Sequence, residues 1–277
     1  MGRAADALAP NRAERLVRSA GVIYVLFLVA LPLCALAWFG LSDGLHALAN
    51  VARSNVARAA IWLTLWTSTL VGVLDVVLGT ITAWVLVRYD VPGKSLVSAL
   101  IDLPFAIPTL VTGVMLALLY GPTSLLGHEL VALGLPIIFA PPGIVLALLF
   151  VTLPFVVRAV EPVLTEIDES EEEAALILGA SPLQAFVAVY LPAIGKPAIS
   201  AGIRALARAL AEFGSVVVVA GNMPLRTLTA PVFVLGEIES GTPRTAAAMS
   251  VVLLGVALLL HATAHTIERR VGAQDGA

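Results

Sequence analysis

Apolar residues run along this chain in long blocks rather than in the alternating or three-to-four spacing of a half-buried element. Six blocks, roughly residues 20–40, 59–87, 97–120, 143–160, 197–221 and 245–266, can each cross a hydrocarbon core that needs about 20 apolar residues per helix. The pattern predicts an all-α polytopic membrane protein with six transmembrane helices. Because the second block exceeds one bilayer, its approach around Arg53 and Arg58 is expected to be an extramembrane helical turn. The fourth is short and interrupted by Pro154, and Pro104, Pro108 and Pro154 are expected to kink the third and fourth spans.

Composition agrees with the blocks. Of 277 residues, 59% are hydrophobic and 13% charged, where a soluble domain of this size carries about a quarter charged. The net charge of -3 matters less than where Lys and Arg fall between spans. Arg3, Arg12, Arg15, Arg18, Arg88, Lys94, Arg158, Lys196, Arg269 and Arg270 fall on one side if six spans alternate, against Arg53, Arg58, Arg226 and Arg244 on the other. Both termini are therefore expected in the cytoplasm, and the Lys- and Arg-free loop 121–142 outside. The expected organisation is a cytoplasmic tail (1–19), a transmembrane domain (20–267) containing a long cytoplasmic loop (168–192), and a second cytoplasmic tail (268–277). Basic residues before the first block and "ALA" at 35–37 imitate a cleavable signal, but the length of the block argues for a retained first span.

Several motifs suggest chemistry that their neighbours do not complete. "RYDVPGKS" (88–95) ends like a phosphate-binding loop, yet Arg88 stands where the first glycine is required. It is expected to be a tight turn made by Pro92 and Gly93. "HELVA" (128–132) lacks the second histidine of a zinc-protease helix, and His46, His261 and His265 are scattered. The one cysteine, Cys34, can form no intrachain disulfide. No enzyme activity, metal site, bound cofactor or nucleic-acid partner is expected of this chain.

The loop "EEEAALILGASPLQAFVAVYLP" (171–192) reads as two short helices. Glu171, Glu172 and Glu173 occupy a first turn, where the helix dipole favours negative charge, with Asp168 or Ser170 available as cap. Gly179 closes that helix, Ser181 caps the next, Pro182 opens it, and Pro192 is expected to end the unit. Leu183, Phe186, Val187, Val189 and Tyr190 are too apolar for a free loop and require a packing surface.

Glu173, Ala174, Ala175, Gly179, Val189, Leu191 and Pro192 stand in the register of the EAA loop of binding-protein-dependent ABC importer permeases, which this loop resembles. The resemblance implies the type I ABC importer permease fold, with the loop as a coupling helix that docks on a cytoplasmic ATPase dimer. ATP and Mg would then be bound by that partner. "AWVLVRYDVPGK" (83–94), "DLPFAIPT" (102–109), "GIVLALLFVTLPFVVRAVEPVL" (143–164) and "EFGSVVVVAGNMP" (212–224) are similar to the sulfate/thiosulfate permease subunits of the CysT/CysU type. That similarity implies an extracytoplasmic sulfate-binding protein and a second permease chain, a homologous heteropartner or a second copy. "PLRTLTAPVF" (224–233) is also similar to molybdate permeases, so molybdate or tungstate is the alternative cargo. An ion-coupled secondary transporter is a further alternative, for which paired inverted repeats would be expected.

The fifth block carries a polar stripe. At 100° per residue Ser200, Arg204, Arg208, Glu212 and Ser215 lie within an arc of about 120°. A charge at the bilayer centre costs at least ~3 kcal/mol, so this arc is expected to face protein or water. Two roles are open: Arg204, Arg208, Glu212 and Ser215 line an anion path, or Arg208 and Glu212 form a buried pair that braces the helices. Asp75 is expected to bond across helices near Thr64, Ser68 or Thr80.

Overall fold

The computed structural model describes residues 12–42 and 44–272. The outer parts of the two expected tails, residues 1–11 with Arg3 and residues 273–277, lie outside the described residues. All regular structure among the described residues is helical. α1 (Arg12–Gly40) is followed by a short amphipathic α2 (Leu45–Arg53) and then by α3 (Asn55–Arg88). Ser54 separates the last two, its hydroxyl accepting from the Ala57 amide as the cap of α3. The expected turn before the second span is thus a separate helix, and α3 at 34 residues extends ~51 Å, beyond the hydrocarbon core.

The third span is not one rod. α4 (Lys94–Ala106) and α5 (Thr109–Tyr120) are bent by 116° at the break between them, which corrects the continuous block 97–120. Pro108 has no amide hydrogen to continue the helix and pushes Ile107 into an extended conformation, φ -89° and ψ 132°. After α6 (Leu125–Ala132), α7 (Pro141–Glu166) runs unbroken through Pro154 and Pro162, so the fourth span is neither short nor interrupted. Pro154 is buried among neighbouring helices, where packing keeps a proline inside a membrane helix.

α8 (Glu169–Ile177) and α9 (Pro182–Ala185) form the loop unit. α9 passes through a π-helical turn (Phe186–Tyr190) directly into α10 (Leu191–Leu210), so Pro192 does not end the unit as expected. The Leu191 amide reaches back five residues to the Phe186 carbonyl; this wider turn admits a proline at the next position without breaking the helix. α10 then stops at Leu210, short of the expected 221, and the chain continues through α11 (Gly214–Val219), α12 (Ala230–Glu239) and α13 (Pro243–Gly272). Five of these elements are long and apolar enough to cross a membrane, and the bent α4–α5 pair supplies a sixth if it counts as one span.

α3, α7 and α10 pack on one another as the centre, with α13 against α10 and α1 against α13. Close approach depends on small residues. A Cβ on Gly202 of α10 would lie 2.3 Å from Cγ2 of Val76, and one on Gly79 of α3 would lie 2.7 Å from Cβ of Val156 on α7. Outward faces are covered by large apolar side chains such as Trp38, Trp62 and Leu118, all more than two-thirds exposed. Such a surface suits lipid and not water.

Candidate functional site

Two regions hold the residues singled out in the sequence. The first is the unit between α7 and α10. Asp168 caps α8, its Oδ1 accepting from the Ser170 amide at 2.9 Å; that hydrogen bond holds the fully exposed carboxyl below its ordinary pKa. Gly179 has φ +91° with open space where a side chain would go, so the position demands glycine through its backbone alone. Ser181 and Gln184 form a reciprocal capping box at α9, whose first residue is Pro182. Every local signal of the loop reappears as geometry, except its end at Pro192.

Of the EAA residues, Glu173 and Ala174 on α8 are exposed, Ala175 is half-buried, and Leu191 and Pro192 are exposed on α10. Val189 and Phe186 pack on a core cluster in which Tyr190 is wholly buried, between α3 and α7. This is the packing surface that the apolar half of the loop required. Ile177, Leu178, Leu183 and Val187 remain exposed on the other side, an apolar patch on a unit rimmed by carboxylates.

A polar link missed in the sequence fastens α8 to the membrane domain. Arg88, the last residue of α3, donates to the Tyr190 hydroxyl, which donates to Glu172 Oε2 at 2.5 Å. The guanidinium also lies 4.6 Å from the centre of the Tyr190 ring, and Trp84 meets that ring edge-on at 4.6 Å. Arg88 and Tyr190 are 102 residues apart, and no local pattern announces their contact.

The second region is the far end of α10. Because the helix stops at Leu210, the expected stripe is not one helical face. Where the chain resumes as α11, Gly214 lies tight against the start of α5: a Cβ there would fall 2.3 Å from Oγ1 of Thr109 and 2.8 Å from the Leu110 amide. Three stripe residues nevertheless converge. Arg208 Nη1 pairs with Glu212 Oε2 at 2.7 Å, and Glu212 Oε1 accepts from both the amide and the hydroxyl of Ser215 at 3.0 Å. Glu212 is buried while the Arg208 side chain is 36% exposed, so the pair is open on its cationic side. Arg204 belongs elsewhere, donating to Ser200 at 3.2 Å one turn nearer the α8–α9 unit.

Arg158, read in the sequence only as an orientation signal, makes five hydrogen bonds. Its Nε and Nη2 bind the two oxygens of Asp102 at 2.7 Å, Nη1 meets Glu161 at 2.5 Å, and Nη2 also reaches the carbonyl and hydroxyl of Ser98 at 2.9 and 2.8 Å. It ties α4 to α7. The i,i+3 pairing of Arg158 with Glu161 inside an apolar run was the available signal. Asp75 is buried and accepts from Thr152 of α7 at 2.6 Å, the bond across helices that was expected, with Thr152 and not Thr64, Ser68 or Thr80 as its partner. Among the described residues no three His, Cys, Asp or Glu side chains gather to hold a metal.

The family described as "Binding-protein-dependent transport system inner membrane component" matches residues 75–272. The chain is 40% identical to the "Sulfate transport system permease protein CysT" of Synechocystis sp. over 239 residues, covering 86% of this chain and 84% of that one. It is 41% identical to the protein of the same name from Synechococcus elongatus, covering 86% of each. Among solved structures it resembles a bacterial ABC transporter involved in the import of the acidic polysaccharide alginate, with a TM-score of 0.76 at 17% identity, over 94% of this chain and 97% of that one.

Proposed function

The chain belongs to the family of binding-protein-dependent transport system inner membrane components and has the ABC importer permease fold, and we propose that it moves sulfate or thiosulfate across the cytoplasmic membrane. The loop unit carries the proposal. A rigid, doubly capped pair of helices joins α7 to α10, is fastened to α3 through Tyr190, and presents exposed apolar and acidic groups away from the bilayer. In this reading Glu173, Ala174, Ala175, Gly179, Val189, Leu191 and Pro192 form the docking element for a cytoplasmic ATPase dimer, which binds the ATP and Mg. Closure of that dimer would push the unit, and the unit would push α7, α10 and, through Arg88, α3. The chain itself does no chemistry.

A second permease chain completes the path, and an extracytoplasmic sulfate-binding protein delivers the cargo. A solved relative of the same fold is described as an alginate transporter in complex with a periplasmic protein, which supports a partner of that kind. Both termini lie in the cytoplasm, on the side of the coupling unit. Arg204, Arg208, Glu212 and Ser215 form part of the path: Arg208, half-open, attracts the dianion, while Glu212 and Ser215 hold it in place and keep the attraction weak enough for release. Sulfate is preferred to molybdate because the relatives that cover most of the chain carry the sulfate name. Uptake of radiolabelled sulfate by cells with and without this gene tests the cargo. Uptake that disappears with the gene and is competed by thiosulfate supports it; unchanged sulfate entry with reduced molybdate entry overturns it.

A further inference from the structure

At the end of α3 remote from the α8–α9 unit, a cavity of about 200 Å³ is lined by Trp62, Leu63 and Trp66 of α3, Pro141 at the start of α7, and Leu225 and Arg226 of the loop between α11 and α12. Arg226 is the one charged group in the lining among the described residues. Its side chain is exposed and makes no hydrogen bond or ion pair among them, and neither indole N–H has a described partner. The loop is built to hold Arg226 in place. The Met223 carbonyl accepts the amides of Arg226, Thr227 and Leu228 at 3.1, 2.9 and 3.0 Å, and Thr227 Oγ1 accepts the Met223 amide at 3.1 Å. Leu225 is fixed at φ +66°, a conformation that non-glycine residues seldom adopt, and such costly conformations gather at binding sites.

Depth along α3 places the cavity at a membrane surface. Trp62 and Trp66 stand 26 and 22 residues before Arg88, or about 39 and 33 Å along the helix. Arg88 reaches the α8–α9 unit through Tyr190, so a hydrocarbon core of about 30 Å that starts there ends close to the two indoles. Tryptophan favours that boundary because its ring is apolar and its N–H polar. We propose that this cavity binds the headgroup of an anionic phospholipid, with the phosphodiester on Arg226 and the glycerol backbone against Trp62 and Trp66. One cation among apolar walls matches an amphiphile with a single negative charge; a free dianion such as sulfate would leave most of its oxygens facing carbon. No carboxylate lines the cavity among the described residues to receive the ammonium of a zwitterionic headgroup, so phosphatidylglycerol fits it better than phosphatidylethanolamine. The bound lipid ties α3 and the start of α7 to the loop that follows α11. That the leaflet is the outer one rests on the orientation proposed above; the site itself does not depend on the cargo.

The test uses the complete transporter, delipidated in detergent and titrated with phosphatidylglycerol or phosphatidylethanolamine, with bound lipid counted by native mass spectrometry. Wild type is expected to bind one phosphatidylglycerol at least about tenfold more tightly than R226Q does, the scale of one lost charge-assisted contact. R58Q removes an exposed cation from the same end of α3 but outside the lining, and is expected to bind as wild type. Equal weakening by R58Q and R226Q would reduce the effect to diffuse attraction and overturn the site, as would phosphatidylethanolamine binding as tightly as phosphatidylglycerol. If R226Q binds the lipid unchanged and instead loses capture of the sulfate-binding protein, the cavity is a protein interface and the proposal fails. Should R226Q not assemble, W62A, at a side chain 69% exposed, must still weaken phosphatidylglycerol binding about threefold or more, and an unchanged value overturns the proposal. Wild-type cells that import no sulfate would refute the cargo reading, while the lipid titration would still decide the cavity.

Discussion

The two ends of the α8–α11 segment use the same device in opposite surroundings. At one end Asp168 caps α8 by accepting the Ser170 amide, and at the other Glu212 accepts the Ser215 amide at the start of α11. Asp168 stands in water and needs no counter-charge. Glu212 is 2% exposed, and Arg208 lies against it at 2.7 Å. A carboxylate cap at a surface replaces a hydrogen bond that water would otherwise make; one buried in a membrane domain must bring its own cation. The exposed end can therefore be tuned one residue at a time, whereas the buried end functions as a set.

Arg208→Ala should separate the two ends most sharply. It leaves Glu212 buried and unpaired, so the loss of stability should fall toward the low end of the ~3–5 kcal/mol typical of broken buried pairs, since Arg208 is partly open to solvent. Thermal unfolding in detergent reads this, and R208Q/E212Q should recover much of the loss; a double variant no better than R208A would refute the pairing as the cause. Sulfate uptake by Arg208→Gln that assembles normally then distinguishes a path from a brace: lost uptake supports the path, retained uptake the brace.

Gly179→Asp comes next. A side chain at φ +91° costs about 1–2 kcal/mol, but the larger consequence is a turned α9 and loss of the copurifying ATPase. Retention of the ATPase by this variant would count against the docking assignment. Tyr190→Phe keeps the buried ring and removes only the hydroxyl between Arg88 and Glu172, at about 1 kcal/mol. ATPase binding should persist while uptake falls several-fold, because the link from α8 to α3 is cut; equal uptake would show that the π turn alone carries the motion.

The smallest effect lies at Asp168. Its folded pKa is depressed by the Ser170 amide, so the stability the cap adds is complete above the unfolded aspartate value of about 3.9 and disappears as pH falls through the lower folded value. The protection factor of the Ser170 amide, its exchange rate divided into the intrinsic rate at the same pH, should be flat from about pH 5 upward and fall only in acid; Asp168→Ala should show little protection throughout.

How far the sequence could be read depended on distance along the chain. The Asp168 cap, the Gly179 turn and the Ser181 capping box each involve residues within four positions, and all were legible. The end of the unit was not, because Pro192 reads locally as a stop and only the π turn before it lets the helix continue. The charged stripe was legible as a set of residues but not as a shape. α10 stops at Leu210 and α11 restarts at Gly214, packed against Thr109 from 105 positions earlier, so a uniform 100° step does not hold across the set.

The sequence by itself determined the medium, the number of spans to within the bent α4–α5 pair, and the capped helices of the loop between α7 and α10, because apolar block length and helix capping are properties of neighbouring residues. Tertiary structure decided which charges meet. Arg158 finds Asp102 56 residues away, Arg88 finds Tyr190 across 102, and Lys196 and Arg204 come to share a cavity with Arg158. In a bilayer a charge must find a partner or water wherever the packing of small residues lets helices approach, and that approach is set by the whole bundle at once.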